Sequence, residues 1–187
     1  PQKDLLIEAL PALREPMRQA MQGAQRHALA SVVFDSPVAN PGKIIGAPIN
    51  YQEHIDESKA DAGIAHGRKI TSIGDWGLFL KAGSSLIGCG QEIVLRFDDR
   101  RNDHEVELGV VIGSECRQVA RADAMAHIAG YAVALDMTVR GTEFQSFRKS
   151  IDTYAVLGPW LVTADEIADP DQLDLWLSVN DEMRQQS

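Results

Sequence analysis

The sequence predicts a mixed α+β domain that is mostly β, and three observations carry that expectation. Apolar residues keep a sustained helical spacing only near the N-terminus, where Leu6, Leu10, Leu13, Met17 and Met21 recur every three or four positions. Most later apolar runs are short and rich in Val, Ile and Leu, among them "SVVF", "EIVLRF" and "VELGVVIG". The regular strand–helix alternation of a doubly wound sheet is missing. A chain of 187 residues can bury one sizeable core. Its formal charge of −9 argues against a nucleic-acid-binding face. No apolar run nears the ~18–20 residues that span a bilayer. Cys89 and Cys116 lack C-x-x-C spacing, so no disulfide framework is expected and a cytoplasmic location is the default. The chain opens on Pro1, and its natural start is expected upstream.

Taken in order, residues 3–27 predict helix, with Pro11 and Pro16 dividing it into two short ones. "SVVF" predicts a strand and "SPVANPG" a loop. "KIIGAPINY" predicts a strand ending in a turn. The polar stretch from Gln52 to about Trp76 has no clear period and suits a lid or binding loop. "GLFLKAGSSLIG" resumes apolar structure, and "EIVLRF" and "DHEVELGVVIG" predict strands. "RADAMAHIAG" predicts a short helix closed by Gly130. "YAVALDMTVR" alternates, "GTEFQSFRKSID" predicts a loop, "VLGPWLVT" a strand broken by a turn, and "LDLWLSVND" a further strand.

Chemistry concentrates in a few places. Side chains two apart on a strand share a face, so Val106, Leu108, Val110 and Ile112 read as a core face, and Glu105, Glu107 and Gly109 share the other. Paired carboxylates repel and resist desolvation, which calls for solvent, a basic partner or a cation. On the next alternating strand, Asp136 follows two small residues, Ala132 and Ala134, like the rim of a pocket. Glu105, Glu107 and Asp136 would supply hard oxygen ligands of the kind Mg²⁺ prefers; solvated strand carboxylates are the plain alternative. His54 and Glu57 stand at i and i+3, where a carboxylate can orient an imidazole for general-base work; a solvated histidine beside a chance acid has the same spacing. Lys149 could stabilise an oxyanion by charge or stand exposed on the surface. Arg140 could grip a substrate carboxylate or pair with Asp136. His27, His66, His104 and His127 read as structural or exposed, His104 pointing away from the glutamates.

The ordered set "GAPINYQEHIDE", "GLFLKAGSSLIG", "DHEVELGVVIG", "IAGYAVALDMTVRG", "RKSIDTYAVLGPWLVT" and "LWLSVNDEMRQ" resembles the fumarylacetoacetate hydrolase family from about Lys43 to Gln186. The resemblance implies a β-roll with short flanking helices, a helical and strand segment over 1–40 and a catalytic domain over 41–187. It implies a divalent metal, Mg²⁺ with Mn²⁺ or Ca²⁺ as alternatives, on Glu105, Glu107 and Asp136. It also implies a water-activating dyad of His54 and Glu57, Lys149 facing the substrate, and Tyr51, Lys81, Arg140 and Tyr154 on the pocket wall. The implied partner is a small keto acid, and the implied assembly a homodimer. The expected activity is hydrolysis of a carbon–carbon bond in a 2,4-diketo acid. A keto acid decarboxylase, an isomerase or tautomerase, and a non-catalytic metal- or keto-acid-binding domain remain as alternatives. The family's later Gly/Thr-rich loop, "GD-x-I-x-TGTP-x-G", has no counterpart before Ser187, so the domain is expected to be C-terminally incomplete. "VND" at Val179–Asp181 stands where relatives often have "VNG".

Overall fold

The structure, a computed structural model, describes residues 4–48, 50–51, 55–56, 59–65 and 73–187. Its strands are, in chain order, β1 (Ile44–Gly46), β2 (Phe79–Lys81), β3 (Leu86–Gly88), β4 (Asn102–Asp103), β5 (Val106–Ile112), β6 (Ile128–Asp136), β7 (Thr138–Val139), β8 (Ala155–Leu157), β9 (Val162–Thr163), β10 (Trp176–Val179) and β11 (Glu182–Gln186). The main sheet runs β3-β8-β6-β5, with β9 also on β6. Only the β3–β8 pair in it is parallel. The mixed α and β architecture expected from the sequence is present.

β6 organises the sheet because its whole length is paired. β5 runs along one side, while β8 pairs with Ala134–Asp136 and β9 with Gly130 and Tyr131 on the other. β8 and β9 thus form one line interrupted at the cis Gly158–Pro159 bond, where Gly158 (φ 130°) donates to the Val133 carbonyl at 3.0 Å. One apolar cluster joins Ile7, Val38 and Val111; a second joins Met137, Val139 and Tyr154, with Ile93, Phe97 and Ile151 against it.

Several local expectations give way. Residues Leu5–Met21 form one helix, capped by Asp4, whose carboxylate accepts from Leu6 and Ile7. Pro11 and Pro16 lie inside it. Pro16 leaves the carbonyl of exposed Ala12 without its helical donor, and water can meet it there. Its buried residue is Ile7, whereas Leu6, Met17 and Met21 are exposed. "SVVF" and "EIVLRF" are not strands. Phe34 accepts only a long bond from Gly90, and Val94 donates to the Thr153 hydroxyl rather than to a strand partner. Residues Arg121–His127 form a 3-10 helix, and Gly130 is a strand residue, not a cap. A side chain there would meet the Val162 carbonyl oxygen at 2.2 Å. The core face expected on β5 is also incomplete. Val106 is buried, but Val110 and Ile112 are exposed, and Val111 is buried on the face of the glutamates, next to a register shift at Val111/Ile112.

Among the described residues no helix is long and apolar enough to cross a membrane. Cys89 and Cys116 are free and exposed.

Candidate active site

Sheet register brings the acids together. Glu107 stands opposite Ala134, and the Asp136 N–H donates to the Glu105 carbonyl at 2.8 Å. Residues opposite each other on antiparallel strands share a face, so Glu105, Glu107 and Asp136 emerge at one end of one face, as the alternation predicts. Small residues keep the floor low. A side chain at Gly109 would meet Leu157 at 2.7 Å and the Ala132 carbonyl at 3.1 Å.

Three cations face these acids, Lys81 and Lys149 buried and Arg140 partly so. Lys149 comes from the short helix Gln145–Lys149, in a stretch that the sequence predicts as loop. Its ammonium donates to Glu105 Oε2 at 2.6 Å, Asp136 Oδ2 at 2.7 Å and Thr138 Oγ1 at 2.6 Å, which uses all three of its protons. The surface-lysine alternative therefore fails, since the side chain is only 8% exposed. Lys81, at the end of β2, donates to Asp136 Oδ1 and, at 2.8 Å, to the Tyr154 carbonyl. Arg140 donates from Nη2 to Glu105 Oε1 at 2.9 Å and from Nε to Asp103 Oδ2 at 2.6 Å. It pairs with Asp103 and Glu105 rather than with Asp136, whose two oxygens face the two lysines. Burial pulls Lys149 down, but Glu105 and Asp136 outweigh it and its pKa is raised. For Lys81 burial dominates, and its pKa is lowered despite Asp136.

Asp103, Glu105 and Asp136 thus match Arg140, Lys149 and Lys81, and Glu107 is the acid left over. Among the described residues no basic side chain forms an ion pair with it. Burial, then the charges of Glu105 and Asp136, push its pKa to about 8. Tyr51 lies against Glu107, and its oxygen accepts from the Leu108 N–H at 3.2 Å.

Asp103 is a site residue that the sequence reading passed over. Its signal was present, because Asp103, Glu105 and Glu107 share one strand parity. Thr138, the hydroxyl partner of Lys149, has the same strand parity as Asp136. Tyr154 is fully buried in the second apolar cluster, with its hydroxyl on Asn102, and what it offers the site is its carbonyl. His104 is half-buried with an Nδ1 that has no partner among the described residues. His54 and Glu57 lie outside the described residues.

The donor set suits a hard divalent cation. Three carboxylates share a sheet face, and the two that crowd Glu107 raise its proton affinity, an effect that a bound cation would reverse. As they stand, Glu105 and Asp136 are turned to the lysines, and among the described residues no three acidic, His or Cys side chains converge closely enough to hold a metal.

Comparison with known proteins adds to this geometry. The family model described as Fumarylacetoacetate (FAA) hydrolase C-terminal matches residues 43–187. A maleylpyruvate hydrolase of Aquipseudomonas alcaligenes is 52% identical over 187 residues, covering 99% of this chain and 65% of that protein. The crystal structure of maleylpyruvate hydrolase from Sphingobium sp. SYK-6 in complex with manganese(II) and pyruvate has 41% identity and a TM-score of 0.79, over 97% of this chain and 61% of that one. A 5-carboxymethyl-2-hydroxymuconate delta-isomerase from Mycobacterium smegmatis shares 36% identity at a TM-score of 0.53, over 59% of this chain and 44% of that one. The chain spans a little under two thirds of the length of the two hydrolases.

Proposed function

Since the chain belongs to the fumarylacetoacetate hydrolase family, we propose that it acts in a divalent-metal-dependent hydrolase that cleaves a carbon–carbon bond in a maleylpyruvate-like 2,4-diketo acid. The observation that carries this reading is the acid face of Glu105, Glu107 and Asp136, set against Lys81, Lys149 and Arg140, in a chain 52% identical to a maleylpyruvate hydrolase. The neighbour with manganese and pyruvate supports both a divalent metal and a keto acid product; Mg²⁺ is the ion proposed for this chain.

Glu105, Glu107 and Asp136 would hold the cation, which supplies Lewis-acid polarisation of the substrate's oxygens. Lys149 and Lys81 hold Asp136, and Lys149 and Arg140 hold Glu105, and both carboxylates would turn from these partners to meet the cation. Arg140 and the Lys149 ammonium would offer positive charge to a substrate carboxylate or developing oxyanion. Tyr51 closes the wall beside Glu107. His54, oriented by Glu57, would take a proton from water as its oxygen attacks the distal carbonyl. The carbon–carbon bond then breaks, its electron pair leaves with the pyruvate portion, and that carbon takes up a proton. The products are a carboxylic acid and pyruvate.

An isomerase is the second reading, favoured by the delta-isomerase neighbour; it would use the same acid face without consuming water. The deciding experiment incubates the chain with maleylpyruvate and Mg²⁺ or Mn²⁺, following the ultraviolet band and pyruvate together. Metal-dependent pyruvate release, abolished by a chelator, is the expected result. Loss of the band without pyruvate would favour isomerisation, and carbon dioxide release a decarboxylase. A homodimer is proposed from the family, and light scattering on the eluting protein checks it.

A further inference from the structure

We propose that Gln185 is a positioning residue for the Glu105–Glu107 pair. The inference rests on the metal-centre reading above and concerns what holds β5 in place. β5 is an edge of the main sheet, and a strand edge presents backbone groups that need partners. At the residue between the two glutamates, the partner is one side chain. The Val106 N–H donates to Gln185 Oε1 at 2.8 Å, and Gln185 Nε2 donates to the Val106 carbonyl at 3.0 Å.

A primary amide is suited to this task because it offers a donor and an acceptor side by side without charge, as a peptide group does. Gln185 therefore closes a one-residue imitation of a β-bridge. Val106 is 2% exposed, so water cannot readily replace the amide. Two residues further along, the Leu108 N–H donates to the Tyr51 hydroxyl oxygen. The two side chains bracket Glu107 on the open edge.

The β10–β11 hairpin aims Gln185 at this spot. Leu177 pairs with Gln185 and Ser178 with Met183, so Arg184 is an extra residue in β11. Bulges re-aim side chains. Met183 and Gln185 stand two apart yet pair with adjacent, oppositely facing residues of β10. As a result Met183 is 55% exposed while Gln185 is half-buried against Val106. Glu105 and Glu107 leave the backbone on either side of the clamped residue, so slack at Val106 changes their separation and the cation affinity that depends on it.

The test titrates Mn²⁺ into the full chain and reads free Mn²⁺ by electron paramagnetic resonance. It compares wild type with Gln185→Met, which keeps the length but neither hydrogen bond, and with Gln185→Glu, which keeps an acceptor for the Val106 N–H. Arg184→Ala, which removes an exposed side chain paired with Glu182, is the control. Hydrogen exchange at the Val106 amide reports the clamp directly. Gln185→Met is expected to weaken Mn²⁺ binding about tenfold, the scale of losing a residue that orients metal ligands, and to speed Val106 exchange. Gln185→Glu should lie between it and wild type, with Arg184→Ala within about twofold of wild type. Mn²⁺ affinity unchanged in a folded Gln185→Met protein would overturn the proposal; if that variant does not fold, unchanged affinity in Gln185→Glu would do so. A wild-type chain that binds no Mn²⁺ would sink the metal-centre reading itself, and the positioning role with it.

Discussion

Glu107 has acid–base chemistry strongly displaced by its surroundings. Its pKa of about 8, against an ordinary 4.5, comes first from burial and then from Glu105 and Asp136. The native state therefore holds this proton over a range in which the unfolded chain has released it. In metal-free protein the resulting stabilisation is complete below pH 4.5, is lost progressively as pH rises to about 8, and is absent above. Urea unfolding between pH 5 and 9 should show stability falling with pH, and Glu107→Gln should flatten that slope; an equally steep slope in the variant would refute the assignment. Lys149 makes the complementary case. Removing it leaves Glu105 and Asp136, side chains 12% and 14% exposed, without their shared cation. Lys149→Met should cost about 3–5 kcal/mol, and in calorimetry Mn²⁺ should raise its Tm more than that of wild type. The acids were legible as a set because strand parity is an arithmetic property of the sequence. Their cations were less so, since which carboxylate Arg140 or Lys81 reaches depends on register and strand order, which residue spacing does not encode.

At the scale of elements, the β10–β11 turn carries a testable departure from the family's usual pattern. Asn180 and Asp181 adopt φ of 51° and 64°, the left-handed region that disfavours side chains other than Gly and, to a lesser degree, Asn and Asp. Asp181→Gly should stabilise the chain by about 0.5–1 kcal/mol, seen as a higher urea midpoint with unchanged slope; a lower midpoint would contradict the strain argument. Gly130→Ala should act in the opposite sense, lowering Tm, because β9 must move away from the new methyl group. The strands "VELGVVI" and "YAVALD" were readable as strands, although only part of the core face expected on β5 is buried. "SVVF" and "EIVLRF" misled because β-branched and aromatic residues supply strand propensity but not a strand partner. The helix carrying Lys149 escaped notice because at five residues it is too short to show a period.

Across the whole molecule, ionic contacts tie the acid face to distant parts of the chain. Asp61 pairs with Arg101, Arg101 with Asp103, Asp103 with Arg140, and Arg140 with Glu105. The family and its acid face could be read from ordered motifs alone; the lattice of cations around that face required the fold. Glu105, Glu107 and Asp136 are proposed to bind one divalent cation beside a keto acid. The most direct measurement is an anomalous difference map from crystals of the chain grown with Mn²⁺ and pyruvate. A single strong peak among the three carboxylates, with pyruvate oxygens beside it, is the predicted result. A peak held by other residues, or none at an Mn²⁺ concentration that supports turnover, would contradict the account.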